Sequence, residues 1–260
     1  MSASGALVEV RAEGRACILR LRREDKLNAL STALERELGE ALERPELRES
    51  ACVVVTGGER AFSAGADVTE LRALDAAAIL EYYRRTGEVY ERVAALPQPT
   101  ISAIAGWCLG GGLELALATD FRIADETAVF GLPEVGIGIV PSSGGTHRLV
   151  RALGPARAKE LVLLGERIPA SRALELGLVT EVVPAGRALE RSLELAERVA
   201  ARPRLALELA KAAIDRMPEA SREAGILLER LAYGLLAQTH DAREAAEAFT
   251  EKREPRFRGR

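Results

Sequence analysis

Two glutamates stand where the neighbouring side chains are apolar or absent. Glu114 follows Gly110-Gly111-Gly112 in LGGGLEL (109–115), and Glu134 sits in GLPEVGIG (131–138). A carboxylate among apolar neighbours is costly to bury unless it is bound or used. Two of them beside glycine-lined loops suit paired acid–base work on a bound molecule. Either alone is ambiguous: GGLELALA predicts a helix with Glu114 in its first turn, where a surface carboxylate would complement the helix dipole. Leu113, Leu115, Ala116 and Leu117 make that helix apolar nearly all round, which predicts a buried Glu114.

The stretches VVVTGGERAFSAGAD (53–67) and ISAIAGWCLGGGLE (101–114) share one form. Each reads as a buried strand, a small-residue loop and a helix start. Peptide N–H groups at a helix N-terminus lack an intrahelical partner and point outward, with the dipole behind them. Two such loops could aim two N–H groups at one oxygen, which is how an oxyanion hole is built. Small residues at the turn keep the backbone within reach of a ligand. The alternative is that the glycines only make tight turns and close packing. Dinucleotide binding fits less well, because 110–112 lacks the GxGxxG spacing and Asp125 comes early for a ribose contact. No GK[ST] occurs, so a P-loop is excluded.

These residues need elements to hold them. LVEVRAEGRACILRL alternates around Gly14 as a hairpin would. NALSTALERELGEALER has helical periodicity, with Thr32 and Glu35 at capping-box spacing. ACVVVTGG and TISAIAG predict strands buried on both faces, ERAFSAGADV a loop, and DAAAILEYYRRTGEVYERVAAL a helix ended by Pro97 and Pro99. After the strand-like DFRIAD and AVFG, GLPEVGIGIVPSSGGT reads as a loop. Helices through RLVRALG, ARAKELVLLG and ASRALELG follow, then the short strand VTEVVP. From about residue 186 the pattern is nearly all helical and ends in a basic tail. Strands alternating with helices, then helices alone, give an α/β core with a helical C-terminal region.

The composition narrows the function further. The 260 residues carry 36 Lys and Arg against 39 Asp and Glu, which leaves no footprint for nucleic acid or an anionic membrane. No apolar run reaches 18 residues and no leader pattern opens the chain, which predicts a soluble, cytoplasmic protein. Cys17, Cys52 and Cys108 are odd in number, widely spaced and in apolar segments, and read as buried reduced thiols. With only His147 and His240 present, a His-rich metal site is excluded, and His147 reads as structural.

With these motifs in order, the chain resembles the enoyl-CoA hydratase/isomerase (crotonase) family. The resemblance rests on KLNALS (26–31), VVVTGGERAFSAGAD (53–67), ISAIAGWCLGGGLELALATDFRIAD (101–125), FGLPEVGIGIVPSSGGTHRL (130–149), GERIPASRALELGLVTEVVP (165–184) and AFTEKREPRFRGR (248–260). It implies a crotonase-like α/β fold of repeated ββα units. The core, 1–190, would hold the CoA-thioester site, and a helical region, 191–260, would build a homotrimer or homohexamer. By motif, Ala66 and Gly111 supply the two oxyanion N–H groups, and Glu114 and Glu134 match the two glutamates of the family's hydratases. Lys26, Ala64, Asp67 and Val68 fall where the family binds coenzyme A, with Phe249 and Lys252 on a tail segment that closes over it. The implied substrate is an acyl-CoA thioester, with no separate cofactor. Departures from the family pattern are Ser142-Ser143 in the loop after the second glutamate, Thr69 where lysine is common, and Arg22-Arg23-Glu24-Asp25 in place of a proline-bearing turn. An isomerase would usually keep one glutamate; a non-catalytic or RNA-binding member would have lost a site residue or show a basic face.

Overall fold

The N-terminal alternation folds into the expected antiparallel hairpin, β1 (Val8–Glu13) and β2 (Ala16–Leu21), turning at Gly14 with φ +58°. The computed structural model describes residues 5–72 and 74–259; Arg260, the last residue of the tail motif, and residues 1–4 of the expected core lie outside them. After β2 come α1 (Thr32–Ala41), a short α2 (Pro45–Glu49), β3 (Cys52–Thr56), β4 (Ala61–Ser63), α3 (Val68–Leu71) and α4 (Ala76–Ala94). Then follow β5 (Thr100–Ile104), β6 (Trp107–Leu109), α5 (Gly111–Leu117), β7 (Phe121–Asp125) and β8 (Val129–Gly131). The chain continues through α6 (Gly145–Leu164), β9 (Ile168–Pro169), α7 (Ala170–Leu176), β10 (Glu181–Val183) and α8 (Ala188–Ala200). It closes with α9 (Arg204–Arg216), α10 (Arg222–Leu236) and α11 (His240–Glu251).

Three turns of this path repeat one pattern. A longer strand joins a six-stranded sheet in the order β1-β2-β3-β5-β7-β10, and a three-residue strand joins a second sheet in the order β4-β6-β8-β9. The chain then leaves toward a helix. Successive strands are parallel within each sheet along β3-β5-β7 and along β4-β6-β8. The stretch 59–68, expected as loop, therefore holds a strand, β4. It escapes sequence periodicity because three residues cannot show a period of two.

The large sheet is covered on both faces, so its strands are continuously apolar. Val53 and Val55 point into one core with Leu34, Leu38, Phe62 and Leu113, while Cys52 and Val54 point into another with Ile101, Ala196 and Val183. All three cysteines are buried free thiols. Helix α8 fills the second face, and residue 190, the expected division, falls within it; the helices beyond it begin with α9. Among the described residues no helix is long and apolar enough to cross a membrane.

The capping box expected at Thr32 and Glu35 does not form. Ser31 is the N-cap, its Oγ accepting from the Leu34 N–H at 3.2 Å, and Thr32 begins the helix with its N–H and hydroxyl on Glu70. This one-residue shift frees Glu35 to turn inward, where it is 5% exposed. Its carboxyl meets the Thr86 hydroxyl at 2.8 Å and the Tyr90 hydroxyl at 3.3 Å, joining α1 to α4. Burial pushes the Glu35 carboxyl up to about 7, against the pull of the Thr86, Tyr82 and Tyr90 hydroxyls. The folded chain thus binds this proton more tightly than the unfolded one does. The resulting stabilisation is complete below about pH 4.5 and is lost as pH rises to about 7. Glu35→Gln should remove that dependence, gaining on the order of 2 kcal/mol over wild type between pH 5 and pH 8. Thermal unfolding at the two pH values measures it, and parallel profiles for the two proteins would refute the buried-acid account.

Candidate active site

The short sheet ends at the site. Ala66 stands three residues after β4, Gly111 two after β6 and Glu134 three after β8, so parallel strands of one sheet deliver all three to one level. The loop bearing Ala66 is held by backbone pairing to the KLNAL segment. Ala64 N–H donates to the Leu27 carbonyl, Leu30 N–H to the Gly65 carbonyl and Asp67 N–H to the Leu30 carbonyl. That pairing turns the Ala66 N–H away from the segment; it donates to no protein acceptor among the described residues. Gly111 begins α5, and its N–H is likewise without a protein acceptor there. Ala66 N lies 3.7 Å from where a Cβ on Gly111 would stand, so the two free N–H groups border one space.

Each glycine of the triplet answers a different demand. Gly110 has φ +51° and ψ −129°, a conformation essentially confined to glycine, and Glu134 Oε1 lies 3.0 Å from its missing Cβ. Gly111 keeps its flank open between Leu30 and the Tyr90 hydroxyl. Gly112 packs on β4, where a methyl would stand 2.5 Å from the Ser63 carbonyl oxygen.

The two glutamates are held differently. Glu114 is 3% exposed, and its Oε1 accepts from the Ser143 and Gly145 N–H groups, each at 2.8 Å. Burial raises its carboxyl above the ordinary value, while those two N–H groups and the charge of Arg148 oppose the rise. Ser143 therefore acts through its backbone, its hydroxyl making no hydrogen bond among the described residues. Gly145 must lack a side chain, since a Cβ there would lie 2.6 Å from Glu114 Cγ. Glu134 opens a 3-10 turn (Glu134–Ile137), and its Oε2 is buried without a partner. Burial pushes its carboxyl up to about 7, and the charge of Glu114 adds to the rise. One carboxyl is thus stabilised as the anion by two N–H donors, and its neighbour is disposed to keep its proton near neutrality.

The remaining sequence candidates occupy three places. Ala64 and the 44% exposed Val68 flank the Ala66 turn, with the exposed Lys26 in the 3-10 turn (Glu24–Lys26) just before Leu27. Asp67 is committed within the chain: it caps α3, accepts from Thr69 and pairs with Arg23 at 2.7 Å, which holds its carboxyl below the usual value. Phe249, 86% exposed, and Lys252 are not brought to this loop by any hydrogen bond among the described residues. The tail beyond them is tied by Arg258 and Gly259 N–H groups to Asp241, and Phe257 lines a hollow of about 500 Å³ beside Ser50 and Pro99. That hollow adjoins the starts of β3 and β5, whereas the site loops follow strand ends. His147 lies on the surface, 3.8 Å from Glu219.

Sequence reasoning missed Arg23 and Asn28. The Asn28 amide accepts from Arg23 N–H and donates to the Ala61 carbonyl, locking the KLNAL turn onto β4. A completely buried asparagine beside a left-handed turn, with φ +52° at Leu27 and +51° at Asn28, was foreshadowed only by the type of residue 28.

A ββα spiral that carries two peptide N–H groups without protein acceptors beside two buried carboxyls defines the crotonase fold. Residues 11–260 match the family model described as enoyl-CoA hydratase/isomerase, and the chain belongs to that family. It is 42% identical over 252 residues to the 2,3-dehydroadipyl-CoA hydratase of Escherichia coli, covering 96% of this chain and 98% of that one. A short-chain-enoyl-CoA hydratase from Clostridium acetobutylicum is 35% identical, with 93% of each chain covered. The crystal structure of an enoyl-CoA hydratase from Bacillus anthracis superposes with a TM-score of 0.93 at 40% identity, covering 98% of this chain and all of that one (100%).

The packing at Gly145 yields a prediction independent of activity. Gly145→Ala should destabilise the fold by about 1–3 kcal/mol, because the new methyl displaces Glu114 and breaks at least one of its N–H bonds. Ser143→Ala leaves both N–H donors in place and should change stability by well under about 1 kcal/mol. Denaturant unfolding of the pair tests this, and equal losses would contradict a backbone-held Glu114.

Proposed function

We propose that the protein is an enoyl-CoA hydratase, adding water across the C2=C3 bond of a 2-enoyl-CoA thioester to give the 3-hydroxyacyl-CoA. The observation that carries this reading is the asymmetry of the glutamates: Glu114 Oε1 is occupied by two N–H donors, whereas Glu134 Oε2 is buried and unpartnered. The thioester oxygen sits between the Ala66 and Gly111 N–H groups. A water held by Glu114 attacks C3 and gives its proton to that carboxylate. The C2=C3 electron pair shifts toward the thioester, and the negative charge gathers on its oxygen as an enolate. Preorganised N–H groups stabilise that charge, a single missing donor costing about 3–4 kcal/mol of barrier. Glu134, protonated at this stage, passes its proton to C2 as the enolate collapses. Exchange with solvent then resets the two carboxyls.

The coenzyme A moiety, on this reading, runs past Lys26, Ala64, Asp67 and Val68. Phe249 and Lys252 reach it from a neighbouring subunit of a homotrimer or homohexamer. The exposed Ile214, Leu227, Leu231, Tyr233 and Leu235 on α9 and α10 support assigning 191–260 to that assembly. Near-balanced charge supports an enzyme without a nucleic-acid partner.

Glu114→Gln and Glu134→Gln should each lower kcat for hydration of crotonyl-CoA by about 10²–10⁴-fold while thioester binding is retained. Loss of enoyl-thioester absorbance reads the rate, across short, long, branched and carboxylated CoA esters, and calorimetry reads binding. Near wild-type turnover in either variant would refute the paired-glutamate mechanism.

A further inference from the structure

The N–H groups that hold Glu114 lie on a loop, 142–145, which itself needs an anchor. Arg148, in the first turn of α6, has an 11% exposed side chain and spans from that loop to a second helix. Its Nη1 donates to the Ser143 carbonyl at 3.0 Å, and its Nη2 pairs with Glu91 on α4 at 2.5 Å. Gly144 lies in the left-handed region with φ +91°, and a Cβ on it would overlap the Arg148 guanidinium. The dipeptide Gly144-Gly145 is therefore bare on two sides for two reasons: one glycine admits Arg148, the next admits Glu114. Ser143 joins them, its carbonyl bound by Arg148 and its N–H bound to Glu114.

Resting on the hydratase reading, we infer that Arg148 is a positioning residue for the base: it clasps loop 142–145 to α4 and so fixes the two N–H groups that orient Glu114. A guanidinium suits this task because its planar fork reaches two acceptors through separate nitrogens, whereas an ammonium must serve both from one atom. Its charge also favours the ionised carboxylate of Glu114. The other titratable groups facing Glu114 are Glu134 from the 3-10 turn and Tyr83 and Tyr90 from α4. Arg148 is the cation among them.

Arg148→Met should speed amide hydrogen exchange at 142–146 with exchange in β3 and β5 unchanged. It should also lower kcat for crotonyl-CoA about 10–100-fold, with KM within about threefold. The acid limb of its kcat–pH profile should move to higher pH, since Glu114 loses a neighbouring positive charge. Arg148→Lys keeps the charge without the fork: its acid limb should match wild type while loop exchange stays fast and kcat stays low. Where Arg148→Met does not fold, Glu91→Gln removes only the outer anchor and should give the same changes in loop exchange and kcat in smaller measure. Wild-type loop exchange, or wild-type kcat with an unmoved acid limb, would overturn the clasp. If wild-type protein hydrates no enoyl-CoA, the hydratase reading fails, and the exchange measurements alone then decide whether Arg148 holds the loop.

Discussion

The contact of α5 with β4, where Gly112 meets the Ser63 carbonyl, sets the distance between two stretches of backbone on which the whole site depends. A helix start cannot come this close to a strand with a side chain between them. Because it does come close, the Gly111 N–H and the Ala66 N–H border one small space, and both remain without a partner in the protein. Ala66 and Gly111 are both partly exposed, so solvent or a ligand can meet these donors; a ligand that covered one without bonding it would cost about 1–3 kcal/mol. The fold tolerates the two open donors because the segments bearing them are otherwise saturated. Asn28, Leu27 and Leu30 occupy the polar groups around Ala66, and Gly110 N–H is paired with Gly131 across the short sheet. Strain and unsatisfied donors are concentrated where a ligand oxygen can relieve them.

The spiral explains why the residues of the proposed site come from three distant points of sequence. Each turn places a three-residue strand beside the last, in parallel, so that loops leaving these strands emerge at the same end. Two turns contribute peptide N–H groups, and the third contributes Glu134. Glu114 then enters from the helix that follows the second turn, one helical step beyond Gly111. Identical side chains become different acids by environment alone. Glu114 is deeper yet has two N–H donors and a nearby guanidinium, whereas Glu134 has an orphaned oxygen and the charge of Glu114 beside it. Desolvation raises both; Glu114 has the two loop N–H groups and Arg148 to resist it, whereas Glu134 has its own backbone N–H alone.

The sequence carried the long elements and the candidate residues, because periodicity over ten or more positions and glycine beside an apolar run are strong local signals. The hairpin, α4, α5 and the buried strands β3 and β5 stand where the pattern put them. Of the second sheet only β8 was legible, in AVFG; β4, β6 and β9 were too short, and with them went the reason that Ala66, Gly111 and Glu134 meet. At Ser31 and Thr32 two adjacent hydroxyl residues both fit a cap, and choosing the second concealed the inward turn of Glu35. Ser142-Ser143 stood out as a departure from the family pattern, yet Ser143 reaches Glu114 through its peptide N–H, which every residue except proline possesses. Arg148 was invisible because its partners are a carbonyl and a carboxylate 57 positions away.

Reliance on the backbone separates two properties that side chains would have tied together. If the oxyanion donors and the holders of Glu114 are peptide N–H groups, substitutions at 66, 142 and 143 leave the donors in place and change only the shape and polarity around them. The true constraints fall on residues whose side chains must be absent: Gly110, Gly112, Gly144 and Gly145, at each of which an added Cβ would meet another part of the site. Tyr83, half buried on α4 with its hydroxyl raised by burial and by the charges of both glutamates, stands on the permissive side of that division. On the hydratase reading, the frame that holds the two glutamates is fixed by what glycine omits, and the half-buried wall at Tyr83 is free to vary.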